Sequence, residues 1–348
     1  MNDLSPQPVE MSAATLVTAL KAAAEPTRLR LLMLLRSGEL SVKDLTLILG
    51  QSQPRLSRHL KLLSEAGLVE RYREGSWVYF HVSDRTAGGR LVRTLLSNMG
   101  AGDAQVVRDR ERAEALKRER EQAAQRYFAA YAGEWDRIRS LHVADEEVEA
   151  GLLASLGAGP FGLIVDVGTG TGRVLELVAS RADRAIGFDI SQAMLAYARS
   201  RIERLGLTNT QVRQGNLYAL SLPDASADAV VMHQVLHYLS EPQQALAEAA
   251  RILRPGGRLV VVDFAPHDHE FLREEQAHER LGFATEAVAQ WCAEAGLDLV
   301  ATEALTADAL AGAEARPASH LTVMIWTAVC RPAVSAPREP GPAVTESS

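Results

Sequence analysis

The run LIVDVGTGTGR at 163–173 sets Gly168, Gly170 and Gly172 at alternate positions directly after an apolar stretch. Glycines there let a strand turn sharply into a helix and let the backbone approach a bound molecule with no Cβ in the way. Asp166 stands at the end of the apolar run, where a carboxylate can pair with a ligand ammonium. A second apolar run, RAIGFD, ends on Asp189, 17 residues after Gly172. One carboxylate at that place can accept both hydroxyls of a ribose. The dinucleotide fingerprint GxGxxG/A asks for glycine or alanine at 173, where the chain has Arg173, and no Walker lysine-serine pair is present.

A second constellation lies on QPRLSRHLKLLSEAGL. Gln53, Arg55, Ser57, Arg58, His59 and Lys61 are polar or basic, while Leu56, Leu60 and Leu63 share one helical side. Arginine can read guanine edges bidentately, and serine and lysine suit phosphates. In VERYREGSWVYFHV, Arg71 and Arg73 lead into a turn at Glu74-Gly75, a hairpin placed to touch backbone or minor groove. Proton handling could fall to His233, His237 or Tyr238, although helix-start packing is the commoner role for a pair placed as His237-Tyr238 is. The histidines of HDHEFLREEQAHER (His267, His269, His278) read either as a metal site or, more simply, as a solvated lid helix. Tyr127, Phe128, Tyr131 and Trp135 could close over a ligand or simply pack an amphipathic helix.

These residues need elements to hold them. Segments beginning at TLVTALKAAAE, at Pro26, at Ser41 and at Gln53 predict four helices, with Gly38, Gly50 and Gly67 as stops, followed by the hairpin. That order is a winged helix-turn-helix over residues 10–100. Residues 101–124, dense in both charge signs, predict an exposed helix joining two bodies. After a more aromatic stretch from 125, residues 161–330 alternate apolar strands with amphipathic helices, the pattern of an α/β sheet, so a second domain is expected over 125–330. The proline-rich tail 331–348 is expected to be disordered.

Of the 348 residues, 47% are hydrophobic and 23% charged, which excludes collagen-like and wholly disordered chains. Two cysteines, Cys292 and Cys330, make no disulfide framework and no CxxC or Cys/His zinc pattern. No metal site is expected. The N-terminus lacks a signal-peptide pattern and no apolar run spans a membrane, so a cytoplasmic protein with no membrane partner is expected. Residues 1–100 carry a net +4, which leaves −11 for the remainder of a chain whose total is −7. A cationic first third suits contact with nucleic acid there alone.

EPTRLRLLMLLRSGELSVKDL followed by LSRHLKLLSEAGLVERYREGSWVYFHV resembles the ArsR/SmtB regulators over about residues 13–85. The resemblance implies a homodimer that binds double-stranded operator DNA and releases it when an effector binds. Metal-sensing members carry Cys-Val-Cys-Asp where this chain has Ser41-Val42-Lys43-Asp44, so thiolate metal sensing is not expected. VDVGTGTGR, GFDISQAML, LPDASADAVVMHQVLHYL and EAARILRPGGRLVVVDF, in that order, resemble the class I S-adenosylmethionine-dependent methyltransferases over about residues 125–330. That resemblance implies a Rossmann-like seven-stranded sheet with an antiparallel last strand near 320–329. It places Gly168, Gly170 and Gly172 against the methionyl and ribose parts of the cofactor, and Asp189 on the ribose hydroxyls. Ile190 and Met194 would lie near the adenine, as would Gly215-Asn216 where the family commonly has Gly-Asp. His233 and Gln234 would face the methionyl moiety.

The fusion resembles composite regulators, some of which read S-adenosylhomocysteine. The expected function is a transcriptional regulator, acting as a repressor of methyl-cycle or neighbouring genes, with S-adenosylmethionine or S-adenosylhomocysteine as small-molecule effector. An active small-molecule methyltransferase with a self-regulating DNA-binding unit is the alternative. A DNA or RNA methyltransferase is disfavoured, since Met232-His233-Gln234-Val235 replaces the Asn/Asp-Pro-Pro-aromatic box.

Overall fold

The computed structural model describes residues 11–74, 77–83, 86–99, 103–135, 145–306 and 321–332. Gly75 of the expected wing turn and nearly all of the 331–348 tail lie outside the described residues.

Helix boundaries in the first third fall where capping chemistry puts them. Helix α1 (Ala13–Ala23) starts at Ser12, whose side chain accepts the Thr15 N–H, and α2 (Pro26–Ser37) opens on Pro26. Helix α3 (Val42–Leu49) has a full capping box, with Ser41 accepting from the Asp44 N–H and Asp44 from the Ser41 N–H. It ends at Gly50 in the left-handed region. Helix α4 (Gln53–Glu65) buries Leu56, Leu60 and Leu63 completely, against Leu31, Leu35, Leu45 and Val92. Strands β2 (Glu70–Glu74) and β3 (Trp77–His81) form the hairpin. A two-residue strand β1 (Leu40–Ser41) adds to β3, too short to show in the sequence pattern. Helix α5 (Ala87–Ser97) closes the winged helix-turn-helix.

Helix α6 runs Ala104–Tyr131 without interruption, 28 residues that pass straight through the expected boundary at 124/125. Most of its charged residues are exposed, as its charges predict, but one side is covered. Val106, Ala113 and Leu116 lay a narrow apolar stripe on the N-terminal core. The charges beside that stripe are paired: Arg30 grips Asp109 through two bonds of 2.5 and 2.7 Å, and Arg112 donates to the Ile48 carbonyl at 3.1 Å.

The C-terminal part is a seven-stranded sheet. Its order is β6 (Thr210–Gln214), β5 (Ala182–Asp189), β4 (Phe161–Val167), β7 (Ala227–His233), β8 (Leu253–Phe264), β10 (Thr322–Cys330) and β9 (Leu297–Thr306). Strand β10 runs antiparallel to both neighbours, and the other pairings are parallel. Alternate residues of β4 enter different cores, Val165 and Val167 on one face and Ile164 on the other. Helices α10 (Pro242–Ile252) and α12 (Thr285–Glu294) cover the first face; α7 (Asp145–Leu156) and α8 (Arg173–Val178) cover the second. Helix α9 (Gln192–Leu205) follows β5, and the short α11 (Phe271–Glu275) follows β8. Strand order reverses between β4 and β7, which opens a crevice at the carboxyl ends of those strands.

Truncating Leu60 to alanine removes a fully buried side chain from the helix-turn-helix core. A stability loss of about 2–5 kcal/mol is expected, read as a lowered denaturation midpoint in urea.

Candidate ligand pocket and nucleic-acid face

The glycine loop is built by bonds from β5. The N–H groups of Gly168 and Thr169 both donate to the Phe188 carbonyl, at 2.8 and 2.9 Å, and the Gly170 N–H donates to Asp189 Oδ2 at 2.9 Å. Asp189 Oδ1 accepts the Ser191 N–H at 2.8 Å. The carboxylate thus shapes the loop with one lone pair of each oxygen and keeps further acceptor capacity. Burial pushes its pKa above the usual carboxyl value, against the pull of the Ser191, Gly170 and Ile190 N–H groups. Gly168 sits at φ +79°, and a Cβ there would stand 2.4 Å from the Val235 side chain.

The loop forms one wall of a cleft also lined by Asp189, Ile190, Met194, Asn216, His233, Gln234 and Tyr238. Of the expected cofactor residues, the structure brings these together with Gly168 and Gly170 and leaves three outside. Asp166 lies within β4, level with Gly187 and Val231 on the neighbouring strands, and is 1% exposed. Gly172 instead admits α9, since its Cβ would stand 3.1 Å from that of Ala198. Gly215 yields to the Phe188 ring, 2.8 Å from a Cβ there. Gln234 holds φ +51°, costly for a residue with a side chain, while its N–H donates to the Val262 carbonyl at 2.7 Å.

The proton-handling candidates separate. His237 is not part of the cleft lining; its Nδ1 lies 2.8 Å from Asp263 and its ring centroid 4.1 Å from that of His278. Tyr238 lines the cleft, but burial pushes its hydroxyl pKa well up, so it stays protonated at neutral pH. Phe128 and Trp135 also line it, ring centroids 5.3 Å apart, with Trp135 Nε1 3.5 Å from where a Gly170 Cβ would be. Tyr127 packs on Phe128 and Tyr131 outside the lining.

Sequence reasoning missed Gln125, Thr169, Tyr218 and Val235 in the lining, and Gly187 beneath the loop. A Cβ on Gly187 would meet the Thr169 side chain at 2.5 Å. A glycine inside an otherwise apolar strand signals such a close approach.

The segment expected as a solvated lid is solvated only in part: Asp268, Glu274 and Glu275 are exposed, while Leu272, His278, Arg280 and the following Leu281 are buried and make it a strut. Its physical reason is the wing. Arg273 donates to Glu74 at 2.5 Å and stacks over Trp77, and the Leu281 N–H reaches Glu74 at 2.6 Å. Arg280 donates to the Tyr72 hydroxyl at 2.6 Å and to Glu39 at 3.0 Å. Arg120 of α6 pairs with both Asp44 and Glu279. Among the described residues no group of three His, Cys, Asp or Glu side chains is placed to hold a metal ion.

On the other domain, Gln53, Arg55, Ser57, Arg58 and Lys61 of α4 are exposed on one side, as are Arg71 and Arg73 of β2. His59 departs from this set. It flanks the buried leucines, lies 3.6 Å from Glu25, and burial holds its pKa below the usual histidine value.

The chain joins a winged helix-turn-helix to a Rossmann-like sheet with a glycine-loop cleft. Residues 25–71 match the model of the arsR family of bacterial regulatory proteins, and residues 165–261 match the methyltransferase domain model. The chain therefore carries both an ArsR-family helix-turn-helix domain and a class I methyltransferase domain. It is 41% identical over 98 residues to a probable S-adenosylmethionine-dependent methyltransferase of Mycolicibacterium smegmatis, covering 28% of this chain and 36% of that one. It is 40% identical over 109 residues to the demethylmenaquinone methyltransferase of Tropheryma whipplei, covering 31% and 44%. The chain thus spans less than half the length of these curated relatives. The solved structure of geranyl diphosphate C-methyltransferase from Streptomyces coelicolor A3(2), in complex with Mg2+, geranyl diphosphate and S-adenosyl-L-homocysteine, matches with TM-score 0.47 and 18% identity, over 55% of this chain and 81% of that one. No described helix is long and apolar enough to cross a membrane.

Replacing Asp189 with asparagine removes the charge that anchors the glycine loop. Local opening of the loop is expected to become easier by about 1.5–3 kcal/mol, read as faster amide exchange at Gly170.

Proposed function

We propose that this chain is a DNA-binding transcriptional regulator, working as a cytoplasmic homodimer, whose effector is S-adenosylmethionine or S-adenosylhomocysteine held in the methyltransferase-type cleft. The observation that carries this reading is α6, one helix that packs on α2 and α3 at one end and lines the cleft with Gln125 and Phe128 at the other. A ligand alters DNA affinity only by binding the two DNA-affinity states unequally, and a helix shared by both sites supplies a physical link.

The residues fit such a cofactor. Gly168 and Gly170 line the cleft with backbone, and Asp189 supplies a carboxylate with spare acceptor capacity for ribose hydroxyls. Asn216 lines the adenine end, its Oδ1 accepting the Tyr218 N–H at 3.0 Å. When bound, S-adenosylmethionine would supply an electrophilic methyl group. The protein's own groups favour sensing over transfer. His237 is tied to Asp263 outside the cleft lining and Tyr238 keeps its proton, so of the three proton-handling candidates only His233 and Tyr238 line the cleft. Repression of methyl-cycle or neighbouring genes is the corresponding role.

The alternative, an active small-molecule methyltransferase, is separated by calorimetry with both ligands, in the presence and absence of the protein's own promoter DNA. The regulator requires ligand affinity to shift when DNA is bound. Tight binding indifferent to DNA overturns it in favour of catalysis. For the DNA face, Arg58→Ala is expected to weaken operator binding by about 1–3 kcal/mol if Arg58 reads a base. Unchanged affinity in a gel-shift titration removes it from the reading set.

A further inference from the structure

The strut after β8 touches the cleft wall with its backbone and the DNA-binding domain with its side chains. The His237 carbonyl accepts the N–H groups of both Glu279 and Arg280, at 2.9 and 3.0 Å. The next residue, Tyr238, is in the cleft lining against Phe128, ring centroids 4.8 Å apart. From the same two residues, the Arg280 guanidinium reaches Tyr72 and Glu39 at the base of the wing. The Glu279 carboxylate meets Arg120, which also pairs with Asp44 at the start of α3. Two covalently adjacent residues therefore join the turn that carries Tyr238 to the base of the wing and, through Arg120, to the start of α3.

From this we infer that Glu279-Arg280 is the hinge pin through which cleft occupancy resets the wing: a ligand that displaces Tyr238 carries the His237 carbonyl, the 279–280 backbone and so the Tyr72–Glu39 anchor with it. The inference rests on the effector reading above and specifies its route. The geometry suits transmission, because the arginine side chain is only 3% exposed and its partners cannot be exchanged for water without loss. Charge-assisted bonds at 2.6 and 3.0 Å also fix direction as well as distance.

The test compares the full chain with Arg280→Gln and Tyr72→Phe, titrating operator DNA with and without S-adenosylhomocysteine. In the unaltered protein the ligand is expected to change operator affinity by about 5- to 150-fold. In Arg280→Gln that ratio is expected to collapse toward one, while ligand affinity without DNA stays within about twofold of the unaltered protein, since Arg280 does not line the cleft. A variant that binds ligand normally and keeps the full ratio overturns the pin and leaves the effector reading standing. An unaltered protein that binds ligand with no change in DNA affinity overturns both. Should Arg280→Gln fail to fold, Tyr72→Phe and amide exchange of the unaltered protein decide. Ligand-dependent exchange at wing residues 70–74 with a reduced ratio in Tyr72→Phe supports the pin, and wing amides indifferent to ligand overturn it.

Discussion

A guanidinium shut away from water must stay paired, and Arg280 finds its partners 200 residues away in the other domain. Its side chain is 3% exposed, with Glu39 at 3.0 Å, Glu74 at 3.7 Å and the Tyr79 ring 4.6 Å beneath it. Removing one member of a buried ion pair costs on the order of 3–5 kcal/mol, because the remaining charge is stranded. The two domains therefore cannot swing apart as loosely tethered bodies without exposing or orphaning this cluster. Much else is arranged around it: the extended base of the wing, the buried path of residues 278–281, and the orientation of the cleft relative to α4.

The position where metal-sensing relatives in the resembled family place thiolates has been put to a different use. Ser41 and Asp44 cap α3, and Asp44, 1% exposed, also receives Arg120 from the long helix. Lys43 lies over the Trp77 ring, 5.2 Å from its centroid. Where metal sensors of the resembled family would take a metal ion at α3, this chain has a protein partner, Arg120, supplied by the helix that also lines the cleft.

Local signals in the sequence were read well and distant ones poorly. Pro26, Ser41, Gly50 and the leucines of α4 act within one or two turns, so their types and spacing suffice. The glycine loop and Asp189 were likewise legible, because backbone conformation and strand ends follow from a few neighbouring residues. At Gly172 and Gly215, where the resemblance implies ligand contact, a Cβ would meet Ala198 and Phe188; a glycine shows that something approaches, not what. The few charges that are shut away, Asp109 of α6 and Arg273 and Arg280 after β8, are not legible as such, because composition records charge without its partner. Arg273 pairs across 199 positions and Arg280 across 241, and no periodicity encodes that pairing.

The unbroken course of α6 has a consequence for how such a chain could have arisen. Each residue of a helix advances the azimuth by about 100°, with 3.6 residues to the turn. A junction that gained or lost a single residue between Leu116 and Gln125 would turn the cleft-lining side of the helix away while its other end stayed seated on α2. Ancestral fusions joined in the wrong helical phase would have yielded two competent modules facing past each other. Gene-joining events at this border are therefore filtered by angle, and lengths differing by whole turns are the ones expected among descendants.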